Sequence, residues 1–325
     1  MNFASCADTQ NRSSEFQTDR CTLVLMKDRI DHLPHVKQHE LRRIVEILFE
    51  EFDDALKEGS AEFKKRGRIL KIILFGSYAR GTQVDEPHIG KGYRSDFDLL
   101  IIVNNRKLAD FETYWHKAED RLMRLRDVQT PVNFIVHSLR EVNTRIKEGR
   151  YFFTDIRQEG IVLYELDPEP LVQPGILDRE EAYRIANEYL DDRLPHARAF
   201  TRFAQFGIEQ NDLKEAAFLL HQAIEQAYSA FLLVTTNYSP ASHNLKFLRR
   251  LSEGQQNELA KAWPQDQQRY KAWFNIVNEA YVKARYSPHF DITEEALLWL
   301  LKQINLLITQ IEQLCSQHLD KMRPT

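Results

Sequence analysis

Cysteine is scarce in this sequence. Its 325 residues include three, Cys6, Cys21 and Cys315. None stands in a C-x-x-C pair or beside a histidine cluster, so neither a zinc site nor a disulfide framework is signalled. That usage fits a reducing compartment, and a cytoplasmic protein is expected. Long apolar runs are missing too: none reaches the roughly 18 residues of a membrane span. Met1 to Arg20 is polar and lacks the apolar centre of a signal peptide. Neither charge sign dominates, since 44 Lys and Arg face 48 Asp and Glu, leaving a formal charge of −4. Such a balance gives no general pull toward nucleic acid or anionic membrane, although it leaves room for a local basic cleft. There is no internal repeat and no low-complexity tract.

What is present is ordinary globular material, 43% apolar and 28% charged, in a chain whose length suits two domains. Residues 1–30 read as a disordered tail, with Met26 an alternative start. Residues 31–166 mix helix and strand. Leu41, Ile44, Val45, Leu48 and Phe52 make one apolar face of a helix over Val36–Lys57. A connector, Glu58 to Arg68, leads to an apolar strand, Ile69–Phe75, which ends at the turn signal Gly76-Ser77. A long loop follows to Tyr93. Asp96–Val103 is a second strand, nearly all apolar after Asp98, as a central strand would be. A single amphipathic helix is expected over Leu108–Leu125, then a third strand over Pro131–His137, and helix with a last apolar run, Ile161–Tyr164. Pro168, Pro170 and Pro174 mark a linker over 167–178. Beyond it, 179–318 is helical: Arg179–Phe206, Asp212–Thr235, His243–Leu251, Gln255–Trp263, Gln267–Ala284 and Glu294–His318. The fold class is α+β.

The chemistry concentrates in Ile73-Leu74-Phe75-Gly76-Ser77-Tyr78-Ala79-Arg80-Gly81 and Ser95-Asp96-Phe97-Asp98-Leu99. A strand runs into Gly-Ser, where glycine lets backbone approach a ligand closely. A helix starting there would offer free N–H groups to a phosphate. Asp96 and Asp98 lie two apart on a strand, so both point to one face. Two carboxylates so placed repel unless a cation sits between them. Mg²⁺ suits that position, being held by one or two carboxylates plus substrate phosphates.

G-S-x-A-R-G followed by S-D-x-D-L resembles the signature of the polymerase β nucleotidyltransferase superfamily, in particular its minimal members of bacteria and archaea. The resemblance implies a nucleotidyltransferase domain with a mixed sheet. It implies phosphate binding at Gly76 and Ser77, with Arg80 and Ser95 alongside, and Mg²⁺ or Mn²⁺ held by Asp96 and Asp98. The substrate would be an NTP, ATP first. Lys91 and Arg94 in the long loop are further phosphate contacts to consider. Members usually carry a third carboxylate on the third strand, as metal ligand and base. Asn133 stands at the matching position. An amide oxygen can ligate but cannot accept a proton. His137 lies two pleats away, roughly 13 Å, and reads as a polar strand-end residue. Another carboxylate beside Asp98, for example Asp127 or Asp155, could take that part.

In the helical half, His221, Gln222 and Glu225 share one side of a helix, followed by Ser242-His243-Asn244-Leu245. This half resembles HEPN domains, all-α bundles that recur beside minimal nucleotidyltransferases in a bacterial, toxin–antitoxin-like setting. Nuclease members separate an Arg and a His by four to six residues. Here three residues separate Arg285 from His289, and Pro288 is among them. Two readings stay open. In one, Arg285 pairs with a carboxylate and His289 precedes an Asp291–Glu294 cap. In the other, His221, Glu225, Arg285 and His289 line an anion-binding groove. Tyr228, Tyr238, Tyr270, Trp273 and Tyr281 read as core. The resemblance also implies a homodimer through this half, with Trp273, Phe274 and Tyr281 as its candidate face.

The leading functional reading is Mg-dependent transfer of a nucleoside monophosphate from an NTP to a hydroxyl on protein, RNA or a small molecule. The rival is a non-catalytic nucleotide-binding and interaction protein with a degenerate site. A HEPN ribonuclease ranks third.

Overall fold

The computed structural model describes residues 26–57, 61–83, 95–166 and 168–324. The first half is built on four strands, β1 (Ile69–Phe75), β2 (Phe97–Val103), β3 (Val132–Ser138) and β4 (Ile161–Glu165), in the order β3-β2-β1-β4. β1 is antiparallel to β2 and β4, whereas β2 and β3 run parallel. Every residue of the central strand β2 is buried. Alternation sorts its side chains onto two faces. Phe97, Leu99, Ile101 and Val103 join the core of helix α1 (His35–Lys57), through Leu41, Ile44, Leu48 and Phe52. Leu100 and Ile102, with Ile73, Phe75 and Ile135, form the core of the opposite face.

Short pieces complete the first layer: turns α2 (Glu62–Lys65), α3 (Ser77–Arg80) and α4 (Phe111–Tyr114), and helix α5 (His116–Arg124). The single helix expected over Leu108–Leu125 is therefore broken. Asp110 explains the break, because its side chain accepts a hydrogen bond from Thr113 N and so starts a new helix inside the periodic pattern. Trp115 is wholly buried between α4 and α5 and donates its indole N–H to Leu108 O at 2.7 Å.

On the opposite face lie α6 (Leu139–Lys147), started by a Ser138/Glu141 capping box, and α7 (Tyr151–Glu159). The expected linker is drawn onto them. Leu171 is buried, Arg157 Nε donates to Leu171 O and Gly175 N to Ile146 O. At the other end of the chain, the expected tail turns into structure before residue 30. Lys27 bridges Ile161, and Val162 N donates to Lys27 O at 2.7 Å. The rest of that tail, and Lys91 and Arg94, lie outside the described residues.

The second half is helical: α8 (Arg179–Glu209), α9 (Leu213–Thr236), α10 (Leu245–Gln255), a 3-10 stretch at Asn257–Ala262 in place of an α-helix, α11 (Gln268–Tyr286) and α12 (Glu294–Met322). Small residues, among them Ala197, Ala204, Ala216, Ala217, Ala223 and Ala227, line the α8–α9 core and let the two helices pack closely. Pro195 lies inside α8, removing one backbone bond without ending the helix. Thr293, not Asp291, caps α12 by accepting from Ala296 N. No helix among the described residues is long and apolar enough to cross a membrane.

The halves share a core. Tyr238 and Phe247 of the helical half are buried in the second-face cluster with Phe75, Leu100, Ile102 and Ile135. Burying one such side chain stabilises by roughly 1.5–3 kcal/mol, more than an exposed ion pair contributes. Apolar contact therefore sets where α10 lies against the sheet.

Candidate active site

β1 ends at Phe75, directly opposite Asp98 on β2, and Asp98 is in register with Asn133 on β3. Between β1 and α3 the chain reverses at Gly76, whose φ of 76° favours glycine. Space demands glycine as well: a Cβ there would lie 2.7 Å from Asp98 Oδ2. Ser77 follows, half-buried, at the head of a single helical turn closed by Gly81 at φ 73°. A turn of four residues contributes little dipole, so any phosphate affinity here rests on backbone and hydroxyl groups. Ser95 is buried just before the strand.

Asp98 shares the face of Leu100 and Ile102, the face that α6, α7 and α10 cover. Asn133 donates its amide to Asp96 Oδ2 at 3.1 Å. The remaining partner comes from the other half of the chain. Arg250 of α10 is ion-paired with Asp96 through Nη1 and with Asp98 Oδ1 through Nη2, the latter at 2.5 Å. One guanidinium thus bridges both carboxylates. Its side chain is 13% exposed and that of Asp98 6%. Phe247 and Leu251, one helical turn apart, dip into the shared core and hold α10 so that Arg250 meets the pair.

Burial pushes the Asp98 carboxyl well above the ordinary carboxylate range, while Arg80 and the Asn133 amide favour its charged form. The guanidinium in contact with it acts in the same charged-form direction. Arg80 is exposed and paired with Glu159 at 3.3 Å. Asp155 is also raised, by burial first and then by Glu159, with Arg80 opposing. Asp127 is exposed. Among the described residues, no three His, Cys, Asp or Glu side chains converge on a metal position.

His137 is the penultimate residue of β3, at the strand end as expected, but it has a partner there. Its Nε2 is hydrogen-bonded to the Tyr238 hydroxyl at 2.9 Å, and its ring meets Phe153 and Tyr238 edge-on. Burial lowers its pKa to about 4. It belongs to the contact between the halves, because β3 carries it past the site on the same face.

In the helical half, His221 is buried and donates Nε2–H to His243 O at 2.9 Å, with its pKa lowered to about 4 by burial. Glu225 accepts from His243 Nδ1 at 2.8 Å. Tyr281 stacks on His243 with centroids 3.5 Å apart. Arg285 lies 4.2 Å over the Tyr281 ring and donates to Tyr281 O. The arginine is thus laid on aromatic surface rather than paired with a carboxylate among the described residues. His289 is exposed beyond the end of α11 and shares no hydrogen bond or ring contact with this cluster among the described residues. Phe274 packs on Trp263 in the core, Trp273 lies against Tyr270 and Trp299, and Tyr281 covers His243. Of the three residues expected to form a dimer face, Phe274 is buried, while Trp273 and Tyr281 are half-buried.

Sequence reasoning missed Arg250 and His243. His243 stands in the Ser242-His243-Asn244-Leu245 turn, whereas Arg250 carries no local signal. Arg249-Arg250 on an amphipathic helix reads as solvated charge.

Comparison with known proteins agrees with this architecture. Residues 58–169 match the family described as polymerase beta, nucleotidyltransferase. Residues 180–314 match the HEPN domain family. A protein of Methanocaldococcus jannaschii named "Putative protein adenylyltransferase" is 37% identical over 119 residues, which cover 37% of this chain and 97% of that protein. With the mixed sheet, the Gly-Ser turn and the paired aspartates in place, the chain belongs to the polymerase β nucleotidyltransferases and carries a HEPN domain in its second half.

Proposed function

We propose that this protein transfers a nucleoside monophosphate from an NTP to a hydroxyl acceptor, using Mg²⁺ or Mn²⁺ held by Asp96 and Asp98. The observation that carries this reading is the bridged pair. Carboxylates from one strand face converge closely enough for a single cationic group to touch both, and they do so against the Gly76 turn. A divalent ion fits that donor set when substrate phosphates complete its shell. Bound there, the metal would neutralise phosphate charge and align the reacting groups.

The chain's own residues would do the positioning. Gly76 and Ser77 would offer backbone and hydroxyl contacts to the triphosphate, and Arg80 and Ser95 lie on the flanks of that turn. Asn133 holds Asp96 in place through its amide. ATP as donor and a protein as acceptor are supported by the name of the archaeal relative; RNA ends and small molecules are the competing acceptors. We read the nucleotidyltransferase unit as 31–166 and the helical unit as 179–318, in a cytoplasmic protein.

Calorimetric titration of ATP, with and without Mg²⁺, tests the reading. Metal-dependent affinity is expected in the parent and lost in Asp96→Asn/Asp98→Asn; equal affinity in both would sink the assignment. A second reading, nucleotide binding without transfer, is favoured by one observation: an amide stands opposite Asp98 where a base would act. Incubation with labelled NTPs, Mg²⁺ and cell lysate separates the two, since only the first moves label to an acceptor.

A further inference from the structure

We propose that Arg250, supplied by the helical half, is a nucleotide-binding residue: it holds the carboxylate pair without metal and passes to the phosphates when metal and nucleotide load. The proposal rests on the reading of Asp96 and Asp98 as a metal site.

Charge gives the first reason. Asp98 is nearly fully buried and Asp96 is 20% exposed. Two carboxylates in such surroundings need a positive partner, and among the described residues Arg250 is a cation in contact with both. A divalent ion on the same oxygens displaces the guanidinium from them, because both ask for the same lone pairs. Metal and guanidinium together then exceed the two carboxylates by one positive charge. The triphosphate, an anion, is the partner that this positive surplus attracts.

Geometry gives the second reason. Arg250 Nη2 lies 2.5 Å from Asp98 Oδ1, while a side chain at Gly76 would run into Oδ2 of the same carboxylate. A phosphate held by the Gly76-Ser77 turn and by metal on Asp98 therefore lies next to the displaced guanidinium. Arginine's planar fork matches phosphate oxygens two at a time. The stem cannot drift far, because Phe247 is buried and Leu251 packs against the same core. Only the head of the side chain has to turn. The HEPN half would then complete the nucleotide site rather than merely accompany it.

The test uses the full chain with Arg250→Gln and Arg250→Lys, and Mn²⁺ as probe. Binding of Mn²⁺ alone is read by electron paramagnetic resonance, and of Mn²⁺ with ATP by calorimetry. Arg250→Gln is expected to bind Mn²⁺ alone about 10-fold more tightly and Mn²⁺-ATP about 10-fold more weakly, since a hydrogen bond to a charged group is worth about that factor. Arg250→Lys, a point charge without the fork, should fall between. Unchanged Mn²⁺ affinity with a parent that binds Mn²⁺ would overturn the role of Arg250 alone. Tighter binding of both Mn²⁺ and Mn²⁺-ATP would also overturn it, leaving a competitor without a phosphate role. No Mn²⁺ binding in either parent or variant would overturn the metal-site reading and this proposal together.

Discussion

Gly76 and Asp98 are fitted to one another: a methyl group on the glycine would stand 2.7 Å from the carboxylate's Oδ2, and the glycine's φ is 76°. Gly76→Ala therefore meets both strain and collision. With ψ at −151° this is a backbone region essentially reserved for glycine, where another residue costs about 1–3 kcal/mol, and Asp98 has little room to retreat from β2. Thermal unfolding should drop accordingly, and Mg-dependent nucleotide affinity should fall at least about 10-fold in calorimetry. A variant matching the parent in both would show that this contact does not shape the site.

Asn133→Asp should act in opposite directions on stability and on transfer. Asn133 now donates to Asp96 Oδ2; an aspartate would place a third negative charge beside the pair. The metal-free protein should melt lower, and Mg²⁺ should restore much of the difference. Transfer of label from NTP should rise, toward the roughly 10²–10⁴-fold that a general base contributes. Label transfer at the parent's rate would mean that no base is needed at this position.

His137 and His221 make stability sensitive to mild acid. Burial lowers each to about 4, below the unfolded value near 6.5. Both are neutral when folded, so their contribution is full above pH 6.5 and is lost as pH falls toward 4. By pH 5 each should have given up about 2 kcal/mol. Urea midpoints at pH 7 and pH 5 read this directly, and His137→Gln should remove about half of the difference. A parent with equal midpoints at both values would contradict it.

The parts of this protein that were legible in the sequence are those with short-range causes. The run Ile69–Phe75, the Gly76-Ser77 reversal and the two-residue spacing of Asp96 and Asp98 are each set by neighbours along the chain. Leu108–Leu125 misled because hydrophobic periodicity continues through Asp110, and only the local capping bond reveals the break. Arg250 was illegible for another reason. It sits 152 residues from Asp98, and what brings it there is the burial of Phe247 in a core assembled from both halves. The partner of His137 was illegible on the same account: Tyr238 is 101 residues away.

That jointly built core bears on any attempt to study the helices by themselves. Tyr238 and Phe247 are covered by Phe75, Leu100, Ile102 and Ile135, so cutting within 167–178 strips the cover from them. Leu171 would leave its pocket as well. An excised second half would display a fresh adhesive patch, and patches of that kind drive association. Dimers of such a fragment would report the wound left by the cut, and the state of assembly has to be measured on the intact chain.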